Sequence, residues 1–275
     1  MKNILVILFL IHSSLSVGQK FTIEEDKLFE LLRNNTDRLG TKKNEIVDFI
    51  TNNPLSNFRV LALEELATIE YQSGNIEESI SLFRQVLKVK VVDSIGNTYK
   101  NSASKTLFKI YFDRKDFKTA LKYLNYQKKY RYQSFCGNAQ ELEDYKTAIL
   151  YSDCYLALGN NKKAIDVLSP YLFDDTNYSD IETSKLLFTI YQSIYTKEQI
   201  QNEFEDLEKS LRIKKEKFRD FEYYEYSITV FGRRAFVKGF ALEPNTEMKS
   251  KEDEFKKKAI EEILKSKIYS LVTRA

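Results

Sequence analysis

Along the middle of the chain, apolar and small residues recur at helical spacing, break at a few polar residues, and recur again. The first such stretch carries Leu63, Leu66, Ala67, Gly74, Ser79, Phe83 and Leu87. The second carries Leu107, Tyr111, Asp116, Phe117, Ala120 and Leu124. The third carries Tyr151, Ser152, Tyr155, Gly159, Asn160, Ala164 and Leu168, and a fourth follows near 181–214. Spacings of three and four keep these residues on one helical face. One helix pair cannot bury such a face alone, so the pattern predicts antiparallel pairs stacked on neighbours. The predicted fold class is all-α, a right-handed solenoid of about five helical hairpins with atypical terminal hairpins.

The ends fit the repeat less well. Residues 19–57 read as an N-terminal helical cap. Leu28, Leu31 and Leu32 share one face, and Ile46, Phe49 and Ile50 another. Gly40-Thr41 is expected to break between them, and Asn52-Asn53-Pro54 to end the second helix. Residues 58–214 read as the repeat domain. Residues 215–275 read as a C-terminal helical hairpin. Within them Phe221, Tyr224, Ile228, Phe231, Ala235 and Gly239 form a helical stripe, and Phe255, Ala259, Ile263 and Leu264 mark a last helix. Tyr224, Tyr226, Ile228 and Val230 also alternate as a strand would, with Gly232 placed to open a hairpin. The helical reading is preferred because no other strand candidate is seen.

The central units resemble the tetratricopeptide repeat. The unit near 60–93 gives Leu63, Leu66-Ala67, Tyr71, Gly74-Asn75, Ser79, Phe83 and Val86. The unit near 101–134 gives Leu107, Tyr111, Asp116-Phe117, Ala120 and Leu124, with Lys115 in place of the turn glycine. The unit near 145–178 gives Ala148, Tyr151-Ser152, Tyr155, Gly159-Asn160, Ala164 and Leu168. The fourth gives Leu187-Phe188, Tyr191, Ile200, Phe204 and Leu207, without the turn glycine or the small residue of the second helix. Small residues let helix backbones approach where they cross, while large ones fill the gap to the next unit. The turn anchors Gly74, Lys115 and Gly159 stand 41 and 44 residues apart. That exceeds the family's usual period of about 34. The excess is expected in longer second helices or in the loops around 88–100 and 129–144.

The resemblance implies a concave groove lined by the first helices. Its positions fall on Glu64, Thr68 and Tyr71, on Lys105, Lys109 and Phe112, on Ile149, Asp153 and Leu156, and on Lys185, Thr189 and Gln192. Lys105 and Lys109 are four apart and point the same way. With Lys185 they are placed to grip a carboxylate of a peptide. The resemblance thus implies a scaffold that binds a peptide or protein and performs no chemistry.

The N-terminus changes the setting. Lys2 is followed by the apolar run Ile4–Ile11 and by the small residues Ser13, Ser14, Ser16 and Gly18, the pattern of a signal peptide cut near Gly18. Eight helical residues span about 12 Å, far short of the roughly 30 Å of hydrocarbon. An exported, periplasmic or secreted protein of a bacterium is therefore expected. The abundance of Lys, Asn, Ile, Tyr and Phe suits an AT-rich bacterial genome. The net charge of +3 is too near balance to point to nucleic acid.

The single histidine, His12, would leave with the signal, and the chain has no tryptophan. Ser-His, Cys-His and His-zinc chemistry would go with it, and neither metal nor cofactor is expected. Carboxylate-pair chemistry stays open. The alternative is accordingly a glycosidase-type enzyme on a helical scaffold, with Glu64, Glu65 or Asp153 as candidates. A third reading is the sensory part of a cell-envelope regulator.

Three further features read as structural. Rings and cations alternate over Tyr123–Tyr132, as in a base-stacking surface, but they also suit a second helix packing its rings beneath lysine stems. Asp174–Asp180 is rich in oxygen ligands but lacks the Gly and Glu that a calcium loop needs. Cys136 and Cys154 are expected to be unpaired. A helix from about Ala139 past Cys154 is roughly 22 Å long up to Cys154, and the loop from Cys136 recovers at most about 10 Å of that, which leaves more than the roughly 7 Å a bridge allows.

Overall fold

The computed structural model describes residues 22–33, 39–90, 94–131, 137–173, 181–218, 221–241 and 252–274. The expected signal, Cys136, the Asp174–Asp180 segment and Pro244-Asn245 lie outside them. The described helices are α1 (Ile23–Arg33), α2 (Leu39–Asn52), α3 (Arg59–Gln72), α4 (Ile76–Lys88), α5 (Ser94–Asp113) and α6 (Phe117–Lys129). They continue with α7 (Gly137–Ala157), α8 (Asn161–Leu168), α9 (Ile181–Gln192) and α10 (Lys197–Glu205). After a 3-10 turn at Leu207–Ser210 come strands β1 (Arg212–Phe218), β2 (Phe221–Val230) and β3 (Arg233–Ala241), then α11 (Glu252–Lys265) and α12 (Lys267–Arg274). The chain is predominantly helical and built of helical hairpins, the class its sequence predicts.

Three hairpins close with one device. Gly74 (φ 82°), Lys115 (φ 61°) and Gly159 (φ 70°) all adopt left-handed backbone. In each, the anchor's N–H donates three residues back: Gly74 to Tyr71 at 3.1 Å, Lys115 to Phe112 at 2.9 Å, Gly159 to Leu156 at 2.9 Å. The next N–H donates five residues back: Asn75 to Glu70 at 2.9 Å, Asp116 to Tyr111 at 2.9 Å, Asn160 to Tyr155 at 2.7 Å. This pair of bonds is the Schellman motif, which satisfies carbonyls left over at a helix end. The fourth hairpin uses other chemistry. Thr196 Oγ1 accepts from Gln199 N–H at 3.2 Å while Gln199 Oε1 accepts from Thr196 N–H at 2.9 Å, a capping box.

The long repeat period draws on the expected stretches, 88–100 and 129–144, but there the first helices begin early, at Ser94 and Gly137. The second helices α4 and α6 hold 13 residues each and α8 holds 8. The first helices α5 and α7 hold 20 and 21, so the excess is there. Gly40-Thr41 does not break the opening pair either: α2 already begins at Leu39, and Gly40-Thr41 lie in its first turn. Asn53-Pro54 ends α2 as expected, with Asn53 N–H donating to Phe49 O at 2.9 Å.

The helical reading of residues 221–242 is corrected. They form β2 and β3, which join β1 in an antiparallel sheet of order β1-β2-β3. Tyr226, Ile228 and Val230 are buried on one face with Ala235 and Val237. Tyr224 and Ile228 stand four apart, a spacing that fits both periods, so side chains alone did not separate them. Pairing did, because neighbouring strands satisfy each other's main-chain groups. The C-terminal hairpin expected over 215–275 is therefore a sheet followed by α11 and α12.

The chain divides into two compact units, Met1–Leu107 with Asn125–Tyr132, and Phe108–Leu124 with Gln133–Ala275. In the first, Leu63, Leu66, Phe83 and Val86 are buried between α3 and α4, and Ser79 donates to Ala67 O at 2.9 Å where the helices cross. In the second, one core joins Ala164, Ile165 and Leu168 of α8, Leu187 and Tyr191 of α9, and Ile200 and Phe204 of α10 to the inner face of the sheet. Phe255, Ala259 and Ile263 of α11 belong to it as predicted, but Leu264 is exposed.

Candidate functional site

The groove positions predicted from the repeats fall in both units, and each set is taken with its own. In the first unit, Glu64 is half-buried and accepts from Ser102 Oγ at 2.7 Å. Burial pushes its carboxyl above the ordinary value. The Ser102 bond opposes that shift and Glu65 adds to it. Glu65 itself is held by Lys42 at 2.6 Å. Thr68 and Tyr71 are half-buried, and Lys105 is exposed.

In the second unit, Lys109 is exposed and bridges Asp113 on its own helix at 2.7 Å. A lysine expected to grip a ligand carboxylate thus already has one beside it. Phe112 packs between Phe108 and Phe117, ring centroids 5.4 Å from each. Asp153 is half-buried, and burial raises its carboxyl. Ile149 and Leu156 pack on the core rather than standing open. Lys185, Thr189 and Gln192 are exposed on α9. The three groove positions of α9 therefore face solvent, while two of the three positions carried by α7 belong to packing.

The alternation of rings and cations along α6 is packing too. In the first unit Tyr126 stacks on Tyr130, and the Lys100 and Lys129 ammonium groups sit 5.1 and 5.3 Å from the Tyr130 ring. In the second, Tyr123 is buried against Tyr111. Cys154 is free and buried. Burial, and secondarily Asp153, pushes its thiol up to about 11.

The sequence did not foretell a cleft in the second unit. It is open, has a volume of about 750 Å³, and lies among α10, the following 3-10 turn and the sheet. Its walls include Tyr195, Asn202, Asp206, Arg212, Thr229 and Phe231. Val230 pairs with Arg233, so Phe231-Gly232 is a two-residue turn, and both residues have positive φ, 49° and 74°. That is the pattern of a type I′ turn, where Asn or Gly is usual. For Phe it costs about 1 kcal/mol.

Phe231 is held there from several sides. Its ring stacks on Tyr195 and lies 5.1 Å from Tyr191. Its N–H donates to Glu203 Oε1 at 2.5 Å, and its C=O accepts from Arg233 Nη1 at 2.9 Å. Arg233 is itself fixed by Asp166 at 2.5 Å. Asp206 bridges Lys209 at 2.6 Å. Gly232 was the one signal in the sequence that pointed here.

No protein-family model and no characterised protein matches the chain. Among solved structures, it is similar to a double mutant of MamA of strain RS-1, with 15% identity over 65% of this chain and 86% of that one, at a TM-score of 0.41. It is also similar to MamA from residue 41 onward of Desulfovibrio magneticus RS-1, with 15% identity over 65% and 87%, at 0.38. A tetratricopeptide repeat protein of Parabacteroides merdae gives 13% identity over 69% and 92%, at 0.24.

Proposed function

We propose that this protein is an exported, non-enzymatic scaffold that holds a peptide or protein partner. The reading rests on the repeated hairpin. Three turns share one hydrogen-bond pattern, and small residues sit at the helix crossings, as at Ala67 and Ser79. Such units trade chemistry for surface: each presents a first helix whose side chains contact a ligand by shape and charge. Lys105 and Lys185 supply exposed cations, and Thr189 and Gln192 exposed polar groups. Export is proposed from the leader-like first residues, with cleavage near Gly18.

Two measurements test the reading. A photo-crosslinking residue placed at Lys105 or Thr189 in the native host should give a discrete adduct with one envelope or secreted protein. Replacing Tyr71 together with Lys105 should abolish the adduct formed at Lys105. Adducts spread evenly over many proteins, or turnover of a glycoside lost on changing Glu64 or Asp153 alone, would refute a scaffold. N-terminal sequencing of the protein from periplasm or medium should begin at Gln19.

A further inference from the structure

Strand β1 is an edge of the sheet, and among the described strands β2 is its ladder partner. At the other edge, β3 has the 3-10 turn Ser169–Tyr171 and α11 packed against it. An edge strand turns alternate N–H and C=O groups away from its neighbour, and an extended chain can pair with them. The side chains on β1 decide which chain. Its sequence opens Arg-Ile-Lys-Lys-Glu.

The register pairs Arg212 with Ser227, Lys214 with Glu225 and Glu216 with Tyr223, which puts all three on one face of the sheet. Arg212 and Lys214 are exposed, and Lys214 reaches along the strand to Glu216 at 2.5 Å. Ile213 packs on the core from the other face. Lys215 has interactions of its own and is not counted.

We propose that β1 takes an acidic extended peptide as a fourth strand. A second copy of this chain is disfavoured, because β1 carries four basic residues, Arg212, Lys214, Lys215 and Lys217, against the single acid Glu216, and two such strands side by side would bring like net charge together. An acidic segment reverses that sign. Carboxylates at every second residue, about 6.8 Å apart, match the spacing of Arg212 and Lys214. The cleft begins at the Arg212 end of this edge. The site is separate from the first-helix positions, so either can fail without the other.

The probe is a fluorescein-labelled decapeptide alternating Glu or Asp with Val, titrated into the full chain by anisotropy. Three control peptides accompany it. One replaces each acid by lysine. The other two carry N-methyl groups on alternate residues of one edge or of the other. Saturable one-to-one binding of the acidic peptide, lost with one N-methyl pattern and kept with the other, is the expected result. Arg212→Glu combined with Lys214→Glu should weaken it by about tenfold, the swing from two attractive to two repulsive cross-strand pairs, with the circular dichroism spectrum unchanged. Absence of binding overturns the proposal. So does equal binding of both N-methylated peptides, which would show charge attraction without strand pairing. Equal binding of the lysine peptide overturns it as well.

Discussion

Tyr195 and Phe231 lie face to face, with ring centroids 3.8 Å apart and planes within 4°. One residue ends the α9–α10 connection and the other heads a strand turn, so the stack fastens the sheet to the helical hairpin within the second unit. It also explains how a phenylalanine stays in left-handed backbone. Phe231→Asn should relieve the backbone but lose the stack, for a net destabilisation of about 1–2 kcal/mol. In a Tyr195→Leu background the same change should be close to neutral. Urea melts of the four proteins measure the coupling, and additive effects would show that the stack does not hold the turn.

Lys115 does with a lysine what Gly74 and Gly159 do with glycine. Its side chain is exposed and its φ is 61°. Lys115→Gly should therefore raise stability by about 0.5–1 kcal/mol, because glycine adopts this backbone at no steric cost. A lower melting temperature would mean that the lysine side chain contributes more than the strain costs.

Two buried serines at helix crossings should respond in opposite directions. Ser79 Oγ donates to Ala67 O at 2.9 Å. Ser152, at the position in α7 that matches Ala67, has a buried hydroxyl with no hydrogen-bond partner among the described residues. Ser79→Ala should cost about 1 kcal/mol, and Ser152→Ala should be neutral or stabilising by a similar amount. Denaturation midpoints of the two variants give the comparison directly.

Glu70 and Glu64 make opposite contributions to the dependence of stability on pH. Glu70 is 3% exposed and held by Lys43 at 2.5 Å and Asn75 at 2.7 Å. Those hydrogen bonds, Lys43 first, keep its carboxyl below the ordinary 4.5. Its contribution is present above the unfolded value and is lost as pH falls through the folded one. Glu64 is raised by burial, so its contribution is present below the unfolded value and is lost as pH rises through the folded one. Glu70→Gln should thus destabilise at pH 7, by a margin that shrinks in acid. Glu64→Gln should gain on the wild type between acid and neutral pH. Melting temperatures from pH 3 to 7 would show two difference curves of opposite slope; parallel curves would contradict both assignments.

Cys154 should behave as an inert thiol. It is fully buried and pushed up to about 11, so it holds its proton at neutral pH. In a Cys136→Ser background, a thiol reagent at pH 8 should react only as the protein unfolds in urea. Prompt labelling of the native protein would show that α7 opens around this residue.

Much of the helical part was legible in the sequence because its signals are local. Gly74, Lys115 and Gly159 were marked as turn anchors by the resemblance to the tetratricopeptide repeat, and all three have the left-handed backbone that ends a helix. Small residues at Ala67, Ser79, Ala120 and Ala164 were marked as crossings, and all are buried. The early start of α5, at Ser94, was not foreseen, because helix boundaries depend on caps and neighbours more than on periodicity. The groove residues were legible only as positions. Whether Lys109 is available to a ligand depends on Asp113 one turn away, and whether Ile149 is open depends on what packs over it.

By itself, the sequence determined the hairpins, their turns and their buried faces, because a helix satisfies its own hydrogen bonds and declares its period within a dozen residues. Only the tertiary structure decided the sheet, the cleft and the edge of β1. A strand's hydrogen bonds lie with other segments, and Arg212–Phe218 carries too few apolar residues to announce a strand. Tyr195 and Phe231 are 36 residues apart in the chain. Their stack exists because β2 turns back at Gly232 within reach of the end of α9, a meeting that no local pattern records.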